Sequence, residues 1–233
     1  MIQKLVIGLL SLVLAVITPM VILDHTRTTS QIQTLIESSY LSYLEVTKLK
    51  KQVDFSQIRA ATHLLYVPDL GNGSGVMIAP GRMLTAAHVA AITEDYPLLL
   101  AGKPVKVLKI DKELDLALLE VEMSCPCVSV AEQMPKVDST GYLVGYPLQR
   151  KGTPQFLTEG RIQGLNEEAH RIFTSADAAP GNSGGGLFVF NKDQWELVGI
   201  LVEIEGMGNI FMPSMVHFMS RSVDTESIKK FLN

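Results

Sequence analysis

From Ala61 onward, apolar residues come in short runs broken by glycine and proline. His63–Val67, Gly75–Ala79, Met83–Thr85, Pro97–Ala101, Val105–Ile110 and Leu114–Val121 read as strands. Pro80-Gly81 marks a turn between the second and third of these. A second set follows at Thr140–Tyr146, Gln155–Gln163, Arg171–Ser175, Gly186–Phe190 and Trp195–Glu203. Leu197–Val202 is apolar throughout, as in a strand buried on both faces. The chain closes with a helix over Asp224–Leu232, for which Asp224 or Ser222 can serve as N-cap. Many short strands with frequent turn signals predict an all-β barrel or sandwich.

Upstream the pattern changes twice. Leu5–Leu23 contains no charged residue. About 19 apolar residues in a helix are enough to cross a bilayer. Pro19 is tolerable there because neighbouring groups re-satisfy the freed backbone. Lys4 before the run places the N-terminus inside and the following domain outside. The run is long for a cleaved signal and no A-x-A pattern follows it, so an anchor is the preferred reading; cleavage near Thr28-Thr29-Ser30 is the alternative. Between Ser30 and Val53, Ile32, Leu35, Ile36, Tyr40, Tyr43, Leu44 and Val46 recur at helical spacing. A solvated or packed stalk is one reading of this helix; self-association into a homo-oligomer through residues 30–53 is the other. The expected organisation is an anchor over 1–25, a helical linker over 26–56 and a folded domain over 57–233.

Composition narrows the function. The chain has 233 residues, 47% of them hydrophobic, and a net charge of −4. Beyond the N-terminal segment it is long enough for one domain or two small barrels packed as a unit. Mild acidity without a basic run gives no reason to expect nucleic acid. Cys125 and Cys127 are the only cysteines, too few for a zinc site, which needs about four ligands. Cysteines two apart would close a strained ring. Two thiols in a loop, or a bridge between molecules, are the readings left. No metal or cofactor is expected.

The candidate chemistry centres on Ala179-Pro180-Gly181-Asn182-Ser183-Gly184-Gly185-Gly186. That much backbone freedom suits a tight loop that projects a hydroxyl and aims N–H groups at a ligand. A serine becomes a nucleophile only with a base, and the base needs an orienting group. Met83–Val89 supplies His88, and Leu114–Leu119 supplies Asp115. His, Asp, Ser is one of the chain orders in which such triads occur. Each residue has a plainer explanation. Ser183 suits any glycine-rich turn. His88 among apolar neighbours suits a buried core histidine. Asp115 could pair with Lys106, Lys109 or Lys112, and Asp111 competes with it for the orienting role.

Thr85-Ala86-Ala87-His88, Asp115-Leu116-Ala117-Leu118-Leu119 and Gly181-Asn182-Ser183-Gly184-Gly185 together resemble the three signatures of trypsin-like (chymotrypsin-fold) serine peptidases, nearest the HtrA/Deg-type branch. The resemblance spans roughly Thr62 to Pro213. It implies two packed six-stranded β-barrels with the site in the cleft between them, His88 and Asp115 in the first and Ser183 in the second. It also implies a serine endopeptidase acting on polypeptides, with the N–H groups of Gly181 and Ser183 as oxyanion hole. Asp177 falls where basic-specific relatives carry their pocket aspartate, and Val202, Glu203 and Ile204 fall on the pocket wall. Those bulkier wall residues favour small or aliphatic specificity over basic. Asn182 stands where zymogen-type relatives have an acid, so activation by cleavage is not expected. About 50 residues follow Ser183, which leaves no room for the PDZ domain of the HtrA branch. A domain in the periplasm or outside the cell, held at the membrane, completes the expectation; a catalytically idle scaffold that binds a partner there is the alternative.

Overall fold

The computed structural model describes residues 53–91, 96–124, 126–147, 154–209 and 212–233, the side chains of 205–218 excepted. Leu5–Leu23, most of the helical linker and Cys125 lie outside the described residues. Among the described residues no helix is long and apolar enough to cross a membrane.

Asp54–Asn233 forms one folded unit. It opens with α1 (Ser56–Ala61), a short helix the sequence pattern does not predict. Asp54 caps it through Ser56, and Ile58 and Ala61 are fully buried. Its approach is fixed by Phe55, which packs on Tyr142 and Trp195, and by the Trp195 indole N–H donating to the Asp54 carbonyl at 2.8 Å.

The first sheet contains β1 (Thr62–Val67), β2 (Gly71–Ala79), β3 (Arg82–Ala86), β4 (Leu99–Leu100), β5 (Lys103–Pro104), β6 (Lys106–Asp111) and β7 (Leu116–Glu120). Its order is β5-β4-β1-β2-β3-β7-β6, with every neighbour antiparallel. This corrects the expectation of a first six-stranded barrel: seven strands form an open sheet. The edge strand β5 has two exposed residues, one of them a proline that cannot donate to a ladder. The expected strand over Pro97–Ala101 shrinks to β4 for the same want of pairing.

The second half does close. β8 (Thr140–Gly145), β9 (Phe156–Asn166), β10 (Arg171–Thr174), β11 (Gly186–Asn191), β12 (Gln194–Asn209) and β13 (Met212–Val223) make a barrel in the order β10-β13-β12-β11-β8-β9. Lys192 and Asp193 both take positive φ, the two-residue hairpin geometry that matches strand twist. Leu197, Val198, Ile200 and Leu201 are fully buried, which accounts for the unbroken apolar run. Ile162, Ile172, Leu187 and Val198 fill the barrel interior.

β13 is absent from the sequence reading. Among its described side chains the buried ones are Ser220, Ser222 and Val223, so two polar residues stand where strand alternation would put apolar ones. Ser220 faces inward because its hydroxyl has carbonyl partners on Thr174 and Ala176. β12 likewise runs past Glu203 to Asn209 because β13 pairs with it along its length. α3 (Thr225–Leu232) ends the chain as expected, with the Asp224 carboxylate accepting from the Ser227 N–H at 2.7 Å. Ser222, the other candidate cap, belongs to β13.

Cys127 is disulfide-bonded and no described cysteine is a free thiol. That corrects the reading of two free thiols.

Candidate active site

His88 sits on α2 (Ala87–Ala90), a single turn that follows directly from β3. Asp115 lies in the connection from β6 to β7, with φ at 63°. Aspartate is among the few side chains that enter this left-handed region readily. There its Oδ1 accepts the His88 backbone N–H at 2.8 Å, and its carbonyl accepts the Ala87 N–H at 3.0 Å. Its Oδ2 lies 2.7 Å from His88 Nδ1. One residue therefore caps the helical turn and orients the ring that the turn carries. Asp111, the competitor, is taken up by the Glu113 and Leu114 N–H groups. Lys106 pairs with Glu120, and Lys109 donates to the Phe231 carbonyl, so neither holds Asp115.

Ser183 stands in the loop before β11. Gly181 has φ at 103° and Gly184 at 82°, so the loop bends where side chains would be strained. A Cβ on Gly184 would fall 2.1 Å from the Ser74 carbonyl oxygen. Most backbone groups of the loop are engaged. Asn182 N–H donates to Ala179 at 3.0 Å, Gly185 N–H to Asn182 at 2.8 Å and Gly184 N–H to Leu201 at 2.7 Å. Among the described residues the N–H groups of Gly181 and Ser183 have no partner. Those are the two a developing oxyanion would need.

His88, Gly181 and Ser183 share one cavity of about 310 Å³. Val67, Leu70, Val89, Pro180, Val202 and Ile204 give it an apolar lining. No hydrogen bond joins the imidazole to the Ser183 hydroxyl among the described residues; such contacts are commonly loose until substrate binds. His88 is half exposed, open to the cavity rather than sealed in the core.

The specificity residues divide. Val202 and Ile204 line the cavity. Glu203 does not: alternation along the strand turns it away, where its carboxylate meets Arg171 at 3.2 Å and Arg221 at 3.1 Å. Asp177 does not line it either; it is exposed, and its carbonyl accepts from the Thr158 hydroxyl. A pocket-floor aspartate is therefore not found at this position. Sequence reasoning missed Ser74, which holds the Ser183 loop from outside it, and Tyr146, whose backbone N–H donates to the Ser74 hydroxyl. The signal was Gly71-Asn72-Gly73-Ser74-Gly75, a second serine set among glycines. A neighbouring cavity of about 400 Å³ includes His63, Asn72 and Tyr146. Burial holds the His63 imidazole below its usual range and pushes the Tyr146 phenol above its own.

No curated protein matches the chain. Solved structures do resemble it. A serine-to-alanine mutant of Rv3671c from M. tuberculosis H37Rv, in its inactive form, superposes with TM-score 0.60 at 19% identity, over 78% of this chain and 89% of that one. The serine endoprotease from Yersinia pestis gives TM-score 0.60 at 22% identity, over 77% and 65%. The HtrA-type protease AlgW with tripeptide gives TM-score 0.60 at 22% identity, over 76% and 60%. At these identities the likeness is one of fold. The family model for the trypsin-like peptidase domain matches residues 73–200, more than half of the chain and all three sequence signatures. By that match, this chain belongs to the trypsin-like peptidase domain family.

Proposed function

We propose that the protein is a serine endopeptidase. The observation that carries this reading is the 2.7 Å His88–Asp115 pair opening onto the cavity that holds Ser183. In the proposed mechanism Ser183 Oγ attacks the scissile carbonyl while His88 Nε2 takes its proton. Asp115 holds the ring with Nδ1 protonated and stabilises the imidazolium that forms. The tetrahedral oxyanion is met by the N–H groups of Gly181 and Ser183. His88 then protonates the leaving amine, and water, activated the same way, releases the acyl-enzyme. No step calls on a metal or a cofactor.

The apolar lining supports cleavage beside small or aliphatic residues rather than basic ones. Asn182 supports activity without zymogen cleavage: it is buried and neutral, so it needs no newly formed ammonium to balance it. The disulfide at Cys127 supports an oxidising location, such as the periplasm or cell exterior, with Leu5–Leu23 as anchor. Self-association through residues 30–53 remains part of the proposal; sedimentation of the full chain with and without them measures it.

Fluorophosphonate labelling of the full-length protein tests the central reading. Labelling and casein cleavage, both lost in Ser183→Ala, are expected. A folded protein that takes no label would sink the peptidase reading and leave the idle scaffold in its place.

A further inference from the structure

The geometry points to Ser74 as a positioning residue that clamps the oxyanion-hole loop in register with His88. The assignment rests on the reading of Ser183 as nucleophile. Ser74 lies on β2, in the first sheet, and is fully buried. Its backbone N–H donates to the Ser183 carbonyl at 2.8 Å, and its hydroxyl donates to the Gly181 carbonyl at 2.9 Å. The hydroxyl oxygen accepts the Tyr146 N–H at 2.9 Å. Its own carbonyl accepts the Thr85 hydroxyl at 2.7 Å, on the strand that leads into His88.

Taken plane by plane, these bonds leave the loop little freedom. The Gly181–Asn182 peptide is held at its carbonyl by Ser74 Oγ and at its N–H by Ala179. The Ser183–Gly184 peptide is held at its carbonyl by Ser74 N–H and at its N–H by Leu201. The Asn182–Ser183 peptide between them is held by its carbonyl alone, through Gly185 N–H. Its other end, the Ser183 N–H, has no partner among the described residues. Two of three planes thus depend on one residue from the opposite sheet, and the same residue touches the strand bearing the base. Any residue but proline at position 74 keeps the backbone bond. Only the hydroxyl bond is a matter of side chain. Without it the Gly181–Asn182 plane can turn, and the adjoining Gly181 N–H loses its aim. That loss falls on the transition state, where the donors are used, and not on ground-state binding.

The test uses the full chain and a fluorogenic peptide that the wild type cleaves. Ser74→Ala is expected to lower kcat by about 10- to 100-fold, below the loss for deleting a donor outright. KM should stay within about twofold, and affinity for a peptidyl boronate should fall in step with kcat/KM. Ser74→Thr, which keeps the hydroxyl, should recover most of kcat. Val76→Ala, on the same strand, should lower Tm without a matching loss of kcat. If Ser74→Ala does not fold, Ser74→Cys, close in size but a weak donor, carries the same comparison. A Ser74→Ala enzyme within about twofold of wild type in kcat, or one whose kcat loss only tracks its Tm as in Val76→Ala, would overturn the assignment while the peptidase reading stands. A wild type that cleaves nothing and takes no fluorophosphonate would overturn both.

Discussion

Asp115 shows how one side chain can serve backbone and chemistry together. Its Oδ1 caps α2 and its Oδ2 holds the His88 ring. Asp115→Asn keeps an oxygen for the cap and tolerates positive φ, but turns an amide toward Nδ1 and favours the wrong tautomer. We expect kcat to fall about 10³–10⁴-fold with Tm nearly unchanged, measured by peptide hydrolysis and calorimetry. Asn182 is the converse case, a buried neutral amide whose Oδ1 has no partner among the described residues. Asn182→Asp would place an unpaired charge there. A Tm loss of about 5–10 °C at pH 7.5, smaller near pH 5 as the carboxyl protonates, is expected in thermal melts. His63 gives the molecule a further pH response. Its folded-state pKa is lowered by burial, so below the usual value of 6.5 the unfolded chain takes up a proton that the folded one resists. Its contribution is therefore complete above that pH and is lost as acid carries the pH down toward the folded-state value. The Tm difference between pH 7.5 and pH 5.5 should narrow in His63→Gln.

At the scale of elements, capping and pairing decide what periodicity leaves open. α3 was legible because Asp224, the amphipathic run and the terminal lysines all agree. Asp224→Ala should cost about 1 kcal/mol, a Tm fall of about 2–4 °C, with labelling of Ser183 unaffected. β13 was not legible, because serines take the inward places and their partners are carbonyls on another strand. β4 shows the reverse: the apolar run over Pro97–Ala101 suggested a longer strand, but its partner β5 ends in a proline at the sheet edge, which cannot extend the ladder. α1 escaped notice since so short a helix has no period to read, and its place depends on an aromatic cluster contributed by residues far along the chain.

Across the whole molecule the N-terminal boundary of the fold becomes a testable quantity. The unit begins at Asp54, whose carbonyl binds the chain's one tryptophan. Fragment 54–233 should unfold cooperatively with blue-shifted Trp195 emission, and fragment 62–233, without α1, should show red-shifted emission and a lower Tm. Equal melting of the two would mean that α1 contributes nothing to the unit.

The chain by itself determined the all-β class, the strands with clean apolar alternation, the terminal helix and the three signatures that carry the candidate chemistry. Local sequence can do this because strand period, turn residues and helix caps act between near neighbours. Only the tertiary structure decided that the first sheet stays open, that Asp111 caps a turn while Asp115 reaches His88, that Glu203 and Asp177 lie away from the cavity, and that Ser74 grips the loop of Ser183. Each of these depends on hydrogen bonds and packing between residues far apart in the chain, where spacing carries no information about direction.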